Sequence, residues 1–156
     1  MKRPLPLALG RAFTLVEILI VIVILGIVAA LVVPQFASAT QDAGYRAADS
    51  SLRGFERAFI MYHATHRAYP PDVNHGQYPS PMTGYLRQED FVRRPPLGEA
   101  FDWNNWAGQV NIGIWASDSS YQPEWLTIDS MFDDGIDSSG TYQISTSPNA
   151  LIRLID

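Results

Sequence analysis

The sequence predicts an α+β fold in which one long N-terminal helix packs on a small antiparallel β-sheet. Two observations carry that reading. An uncharged apolar run from Ile18 to Val33 is followed, beyond Pro34, by apolar residues at Ala48, Leu52, Phe55, Phe59 and Tyr62, spaced four, three, four and three, on one helical face. In the C-terminal third, short segments between turn residues read as strands; the clearest is 110–116, with Val110, Ile112, Ile114 and Ala116 on one side. The 156 residues suffice for one compact domain besides the N-terminal segment. Four parts result: a basic leader 1–12, an apolar helix 13–36, an amphipathic helix 37–69, and an α+β domain 70–156 that begins with a connector, 70–98.

In the apolar run, 13 of the 16 residues from Ile18 to Val33 are Ile, Leu or Val. Extended to Phe13 and Phe36, it makes 24 residues with one charge, Glu17. Such a helix rises roughly 36 Å, enough to cross a hydrocarbon core of about 30 Å. A charge costs about 2.5–3.5 kcal/mol at the centre of a span and less towards its end, while each Ile, Leu or Val returns about 0.3–0.6, so the segment inserts despite Glu17. Lys2, Arg3 and Arg11 precede the span and no basic residue follows it until Arg46, which keeps the leader in the cytoplasm and sends the domain outside. Pro34 removes a backbone donor and is expected to kink the helix; Gly44 and Gly54 are further bending points.

The amphipathic helix is expected to end near His66, because Tyr69 precedes Pro70 and Pro71 and residues before proline avoid helical geometry. Arg46, Asp49, Arg53 and Glu56 lie off its apolar stripe, and Arg53 with Glu56 has the i,i+3 spacing of a weak ion pair. The connector is punctuated by Gly76, Pro79, Pro81, Gly84, Pro95, Pro96 and Gly98, with one helical turn expected near 86–91. Strands are expected at 101–103, 110–116, 141–145 and 150–155. Between them, 123–132 reads as a short helix with Pro123 in its first turn and Trp125 and Ile128 on one side, stopped by Asp133-Asp134-Gly135.

After the leader the chain carries 8 basic against 16 acidic residues, which argues against nucleic acid as a partner. The absence of cysteine excludes disulfides, thiolate metal sites and a cysteine nucleophile. No serine sits in a nucleophile elbow, and no catalytic residue is assigned. Asp129, Asp133, Asp134 and Asp137 crowd around Gly135 in a spacing that does not match an EF-hand, so a solvated turn is the preferred reading and calcium the alternative. His63 and His66 share a helix face without a third ligand at a defensible spacing, and read as surface or packing residues. Trp103, Trp106, Trp115 and Trp125 read as core.

Ala12-Phe13-Thr14-Leu15-Val16-Glu17, followed at once by the apolar run, resembles the prepilin cleavage and methylation motif of type IV pilin-like proteins. The resemblance implies that a prepilin peptidase cuts after Ala12, that Phe13 becomes the N-methylated N-terminus, and that Glu17 directs assembly. The family usually has glycine before the cut, where this chain has Ala12 and, two residues earlier, Gly10. An apolar span holding one carboxylate needs a counter-charge. In the family picture the α-amino group of an incoming subunit supplies it. Tyr69-Pro70, the Pro/Gly connector and the short terminal sheet are similar to the pseudopilins of type II secretion, without their acidic calcium-binding tail.

The resemblance implies a structural subunit, not an enzyme, anchored in the inner membrane with its domain in the periplasm. Implied partners are the peptidase, other copies or related pseudopilins in a helical filament, and the inner-membrane platform of the secretion machinery. Two alternatives stay open: a type IV pilus or DNA-uptake pilin, and a membrane-anchored periplasmic binding module that does not polymerise. A secretory signal ending at Ala37-Ser38-Ala39 is the competing reading of the N-terminus, opposed by the length of the apolar run and by the helix that continues past it.

Overall fold

The computed structural model describes residues 13–106, 108–146 and 149–155. The leader, and with it the expected cut after Ala12, lies outside the described residues. The order of elements is α1 (Leu15–His66), a 3-10 turn (Ser80–Met82), α2 (Gln88–Val92), β1 (Ala100–Trp106), β2 (Gln109–Trp115), α3 (Gln122–Phe132), β3 (Tyr142–Thr146) and β4 (Asn149–Leu154). The chain divides into two compact units, up to Thr40 and from Gln41 onward, and α1 contributes to both.

In the first unit α1 continues through Pro34 without a break. What the proline removes is the amide that would donate to the carbonyl of Ala30, four residues back. Ser38 returns its hydroxyl to the Pro34 carbonyl at 3.3 Å.

In the second unit the four strands form one antiparallel sheet in the order β1-β2-β4-β3. Two hairpins, β1–β2 and β3–β4, meet through the β2–β4 pairing, where Ile114 faces Leu151 and Ile112 faces Arg153. The predicted period-two pattern holds: Ile112, Ile114 and Leu151 are fully buried on the face that meets α1 residues Leu52, Phe55 and Phe59. Phe59 stacks on Trp103 at 3.6 Å between ring centres, and Phe55 meets Phe101 edge-on at 4.8 Å. Trp125 and Ile128 of α3 join the same core, and the indole of Trp125 donates to the Leu97 carbonyl at 2.9 Å.

Four expectations need correction. β1 extends to Trp106, three residues past the expected end. Asn104 and Asn105 have low strand propensity but are held by side-chain hydrogen bonds: Asn104 donates to Asp102 of the same strand and to Asn111 across the β1–β2 pair, each at 3.0 Å, and Asn105 donates to the Pro70 carbonyl outside the sheet at 2.9 Å. Arg53 does not pair with Glu56. It binds Asp49 one turn back at 2.7 Å, while Glu56 takes Arg153 of β4 at 2.8 Å, a partner 97 positions away. Asp49 is buried instead of lying off the stripe, because the Tyr142 hydroxyl donates to it at 2.8 Å. Trp106 is not core: at the end of β1 it is 78 % exposed.

Both edges of the sheet are closed by the chain itself. On the β1 side, Gly76 donates to the Phe101 carbonyl at 2.7 Å and Asp72 accepts the Asn105 amide at 3.2 Å. On the β3 side, the Ile144 amide donates to the Asp137 carbonyl at 2.7 Å and the Tyr142 amide to the Asp133 carboxylate at 2.8 Å. Capped edges discourage strand-to-strand association between molecules.

Candidate assembly site

The sequence singled out Glu17, and the structure gives it a local role that sequence reasoning missed. Thr14 stands just before the first helical residue and Glu17 three positions later, the spacing of a capping box. The Glu17 amide donates to the Thr14 hydroxyl oxygen at 3.2 Å. In return Glu17 Oε2 accepts from the Thr14 amide at 2.8 Å and from its hydroxyl at 3.0 Å. The S/T-x-x-E signature was present in the sequence, inside the segment already assigned to the processing motif. Only Oε2 enters the box, and among the described residues Oε1 has no donor and can receive another.

Around this carboxylate the helix is apolar on all sides and none of the described residues of the first unit covers it. Phe13 is 80 % exposed, and every large apolar side chain from there to Phe36 is exposed. The helix is long and apolar enough to cross a membrane. Gly26 has open space where a Cβ would stand, so no contact among the described residues requires it. A surface of this kind is stable only in lipid or against other apolar helices.

The second feature is acidic. Asp129 on the last turn of α3, Asp133 at its C-cap and Asp134 place carboxylate oxygens within 4.8 Å of one another; Asp137 lies outside this trio. Asp129 is fully buried and, among the described residues, neither of its side-chain oxygens accepts a well-formed hydrogen bond. Burial pushes its carboxyl up from the ordinary range, and the negative charges of Asp134 and Asp133 push it further, while the nearby Gly135 amide offsets part of the rise. The turn is tight. Gly135 and Gly140 have φ of 75° and 77°, and a Cβ on Gly140 would run into the carboxylates of Asp133 and Asp134. A buried, unpartnered carboxylate beside two others fits a hard divalent cation, which takes several oxygen ligands.

The remaining candidates have structural explanations. His66 stacks on Tyr62 at 4.1 Å and His63 on Tyr69 at 4.3 Å, as expected for packing residues. Trp103 and Trp125 are fully buried, and Trp115 is half-buried under a stacked His75 at 3.7 Å.

The profile of the prokaryotic N-terminal methylation motif matches residues 10–33, the segment that holds the capping box and most of the apolar run. Over 110 residues, 66 % of this chain and 73 % of the relative, the sequence is 34 % identical to type II secretion system core protein G of Escherichia coli. It is 37 % identical over 92 residues to the protein of that name from Klebsiella michiganensis, covering 55 % of this chain and 65 % of the relative. With the Pseudomonas aeruginosa protein it shares 47 % over 58 residues, or 37 % of this chain and 41 % of the relative. No solved structure gives a significant match. With a prepilin-type motif heading an exposed apolar helix, an α+β domain behind it, and this extent of similarity, the chain belongs to the pseudopilin family of type II secretion system core protein G.

Proposed function

We propose that the chain is a structural subunit of a short pilus-like filament in a type II secretion system, cut after Ala12 by a prepilin peptidase and N-methylated on Phe13. In this reading α1 stores the subunit in the inner membrane, with its N-terminus in the cytoplasm and its domain in the periplasm. The subunit is then drawn from the membrane into a filament of like copies on the inner-membrane platform. Its work is mechanical. The observation that carries the reading is Glu17: a carboxylate at the head of an apolar helix, with one oxygen spent on the Thr14 cap and the other without a donor among the described residues. Cleavage creates a cation, the Phe13 α-amino group, and methylation preserves its charge. Pairing that amine with Glu17 of a neighbour stabilises both inside a low-dielectric bundle and sets the axial step between copies. Such a head-to-tail contact does not close on itself and so builds a fibre.

Mass spectrometry of the mature N-terminus, combined with Glu17→Ala, tests this. The expected result is N-methylated Phe13 in the wild-type chain, and a variant that still reaches the membrane with a folded domain but yields no filaments. A mature chain that begins elsewhere, or filaments from Glu17→Ala at wild-type yield, overturns it.

The acidic trio is proposed as a calcium-class site within the same subunit. Asp129, Asp133 and Asp134 would hold the ion, which would supply the positive charge that the buried Asp129 lacks. Calcium at about a hundred times its dissociation constant is expected to stabilise the fold by about 2.7 kcal/mol in thermal melts of the detergent-solubilised chain. Asp129→Asn is expected to remove that gain; a gain that persists in the variant places the ion elsewhere.

A further inference from the structure

We propose that the loop Asp134–Asp137 of one copy docks on the outer face of α1 formed by Arg57, Ile60 and Met61 of a neighbouring copy, a second contact besides the one at Glu17. The proposal rests on the filament reading and names the surfaces that meet between domains.

The α1 face is defined by i, i+3 and i+4 spacing. Arg57 is exposed and has no ion-pair partner among the described residues. Ile60 and Met61 are 41 % and 63 % exposed, whereas Phe55 and Phe59 on the opposite side are core. A guanidinium thus stands beside two apolar side chains, and none of the three is covered by its own domain.

The loop has the complementary composition. Ile136 is 54 % exposed and lies between two exposed carboxylates, Asp134 and Asp137. Asp137 pairs with no cation among the described residues and stands outside the acidic trio, so an ion held there leaves its charge available. The loop is also pre-shaped. Asp134 accepts the Ile136 amide and the Ser139 hydroxyl, each at 2.8 Å, and the Asp137 carbonyl accepts the Ile144 amide at 2.7 Å. A loop already fixed in this way loses little conformational entropy on docking.

Single exposed apolar residues are ordinary. What distinguishes these is that each lies beside a charge of opposite sign to the other patch, and that the segregation runs through the domain. From 41 to 94 the chain has seven arginines and six acids; from 95 to 156 it has nine acids and one arginine, Arg153, which is buried and paired with Glu56. One part of the molecule therefore complements the other part of a second copy. Two different patches meeting in this way form a heterologous contact, which propagates instead of closing.

The chain contains no cysteine, which gives cross-linking a clean background. Two differently tagged copies are co-expressed, one with Met61→Cys and the other with Ile136→Cys, and sheared filaments are oxidised mildly. The expected product is a disulfide dimer carrying both tags. Independently, Arg57→Asp and Asp137→Arg each set like charges opposite one another and are expected to lower filament yield about tenfold or more, while the double exchange restores it. Filaments that form without the mixed dimer, or single reversals that leave the yield unchanged, overturn this contact and leave the filament reading intact. A wild-type chain that never polymerises removes both.

Discussion

The two halves of α1 use the same residue types in opposite ways. From Phe13 to Phe36 every large apolar side chain is exposed, while further along the same helix Leu52 and Phe59 are 0 % exposed beneath the sheet. The second half is also tied by polar contacts: Asp49 to Tyr142 and Arg53, and Glu56 to Arg153. Burial in the domain therefore explains the apolar stripe of one half and none of the other. The first half has the composition of a core without a core around it among the described residues, and the proposed function supplies that environment: lipid, and then the helices of neighbouring copies.

That separation predicts a double dissociation, which carries the largest effects. Trp103 stacks on Phe59 and donates its indole N–H to the Pro70 carbonyl at 3.2 Å, so Trp103→Ala is expected to destabilise the domain by about 3–5 kcal/mol while the chain still fractionates with membranes. Ile24→Arg puts a charge in the middle of the span. It is expected to cost insertion about 2.5–3.5 kcal/mol and to leave the melting of the domain unchanged within about 0.5 kcal/mol. Membrane fractionation and denaturant melts of both variants check this. If either substitution moves both readouts, the halves are not energetically separate.

The next effect sharpens the comparison within the domain half. Arg153 is 8 % exposed, its guanidinium lies 5.0 Å from the centre of the Tyr142 ring, and Glu56 is its ion-pair partner. Glu56→Ala leaves that cation buried and unpaired, at a cost of about 3 kcal/mol. Arg53→Ala removes a more exposed arginine and leaves the buried Asp49 with the Tyr142 hydroxyl as a remaining donor, so it is expected to cost less than Glu56→Ala. Urea melts of the two variants should differ in that order; equal losses would mean that burial of the Glu56–Arg153 pair carries no weight.

What could be read from the sequence follows the range of the interactions. The limits of α1, the strand 110–116 and the helix 123–132 emerged because periodicity and proline punctuation are local. The processing motif was equally legible, since six adjacent residues carry it. The partner of Glu56 was not, because Arg153 lies 97 positions away and a local i,i+3 arginine offered a competing choice. The burial of Asp49 depends on a tyrosine hydroxyl 93 positions away, and the length of β1 depends on a carbonyl in the connector. The acidic trio was half legible. Four aspartates were visible, but which three converge, and that Asp129 is fully buried, follows from how α3 and the turn pack.

The smallest expected effect is a slope with pH, and it belongs to the domain half alone. Asp129 has its carboxyl raised by burial and by its acidic neighbours, so the folded state binds that proton more tightly than the unfolded chain, whose aspartates titrate near about 3.9. Between that value and the raised one, the native state carries more protons. Stability from this group therefore falls as pH rises through the window and recovers as pH falls. Asp118 runs the other way: hydrogen bonds from the Ser120 side chain and amide hold its carboxyl below the ordinary range, so what it contributes is lost on acidification. Asp129→Asn removes only the first of these two opposing slopes. With chelator present, acidification from neutral pH should raise the melting temperature of the wild-type chain relative to Asp129→Asn. Adding calcium at neutral pH should do the same without any change in pH, because proton and metal relieve the same buried charge. A wild-type-to-variant difference that is flat from neutral pH down to the ordinary aspartate range would mean that the carboxylate is already compensated, and the acidic turn would then need no ion.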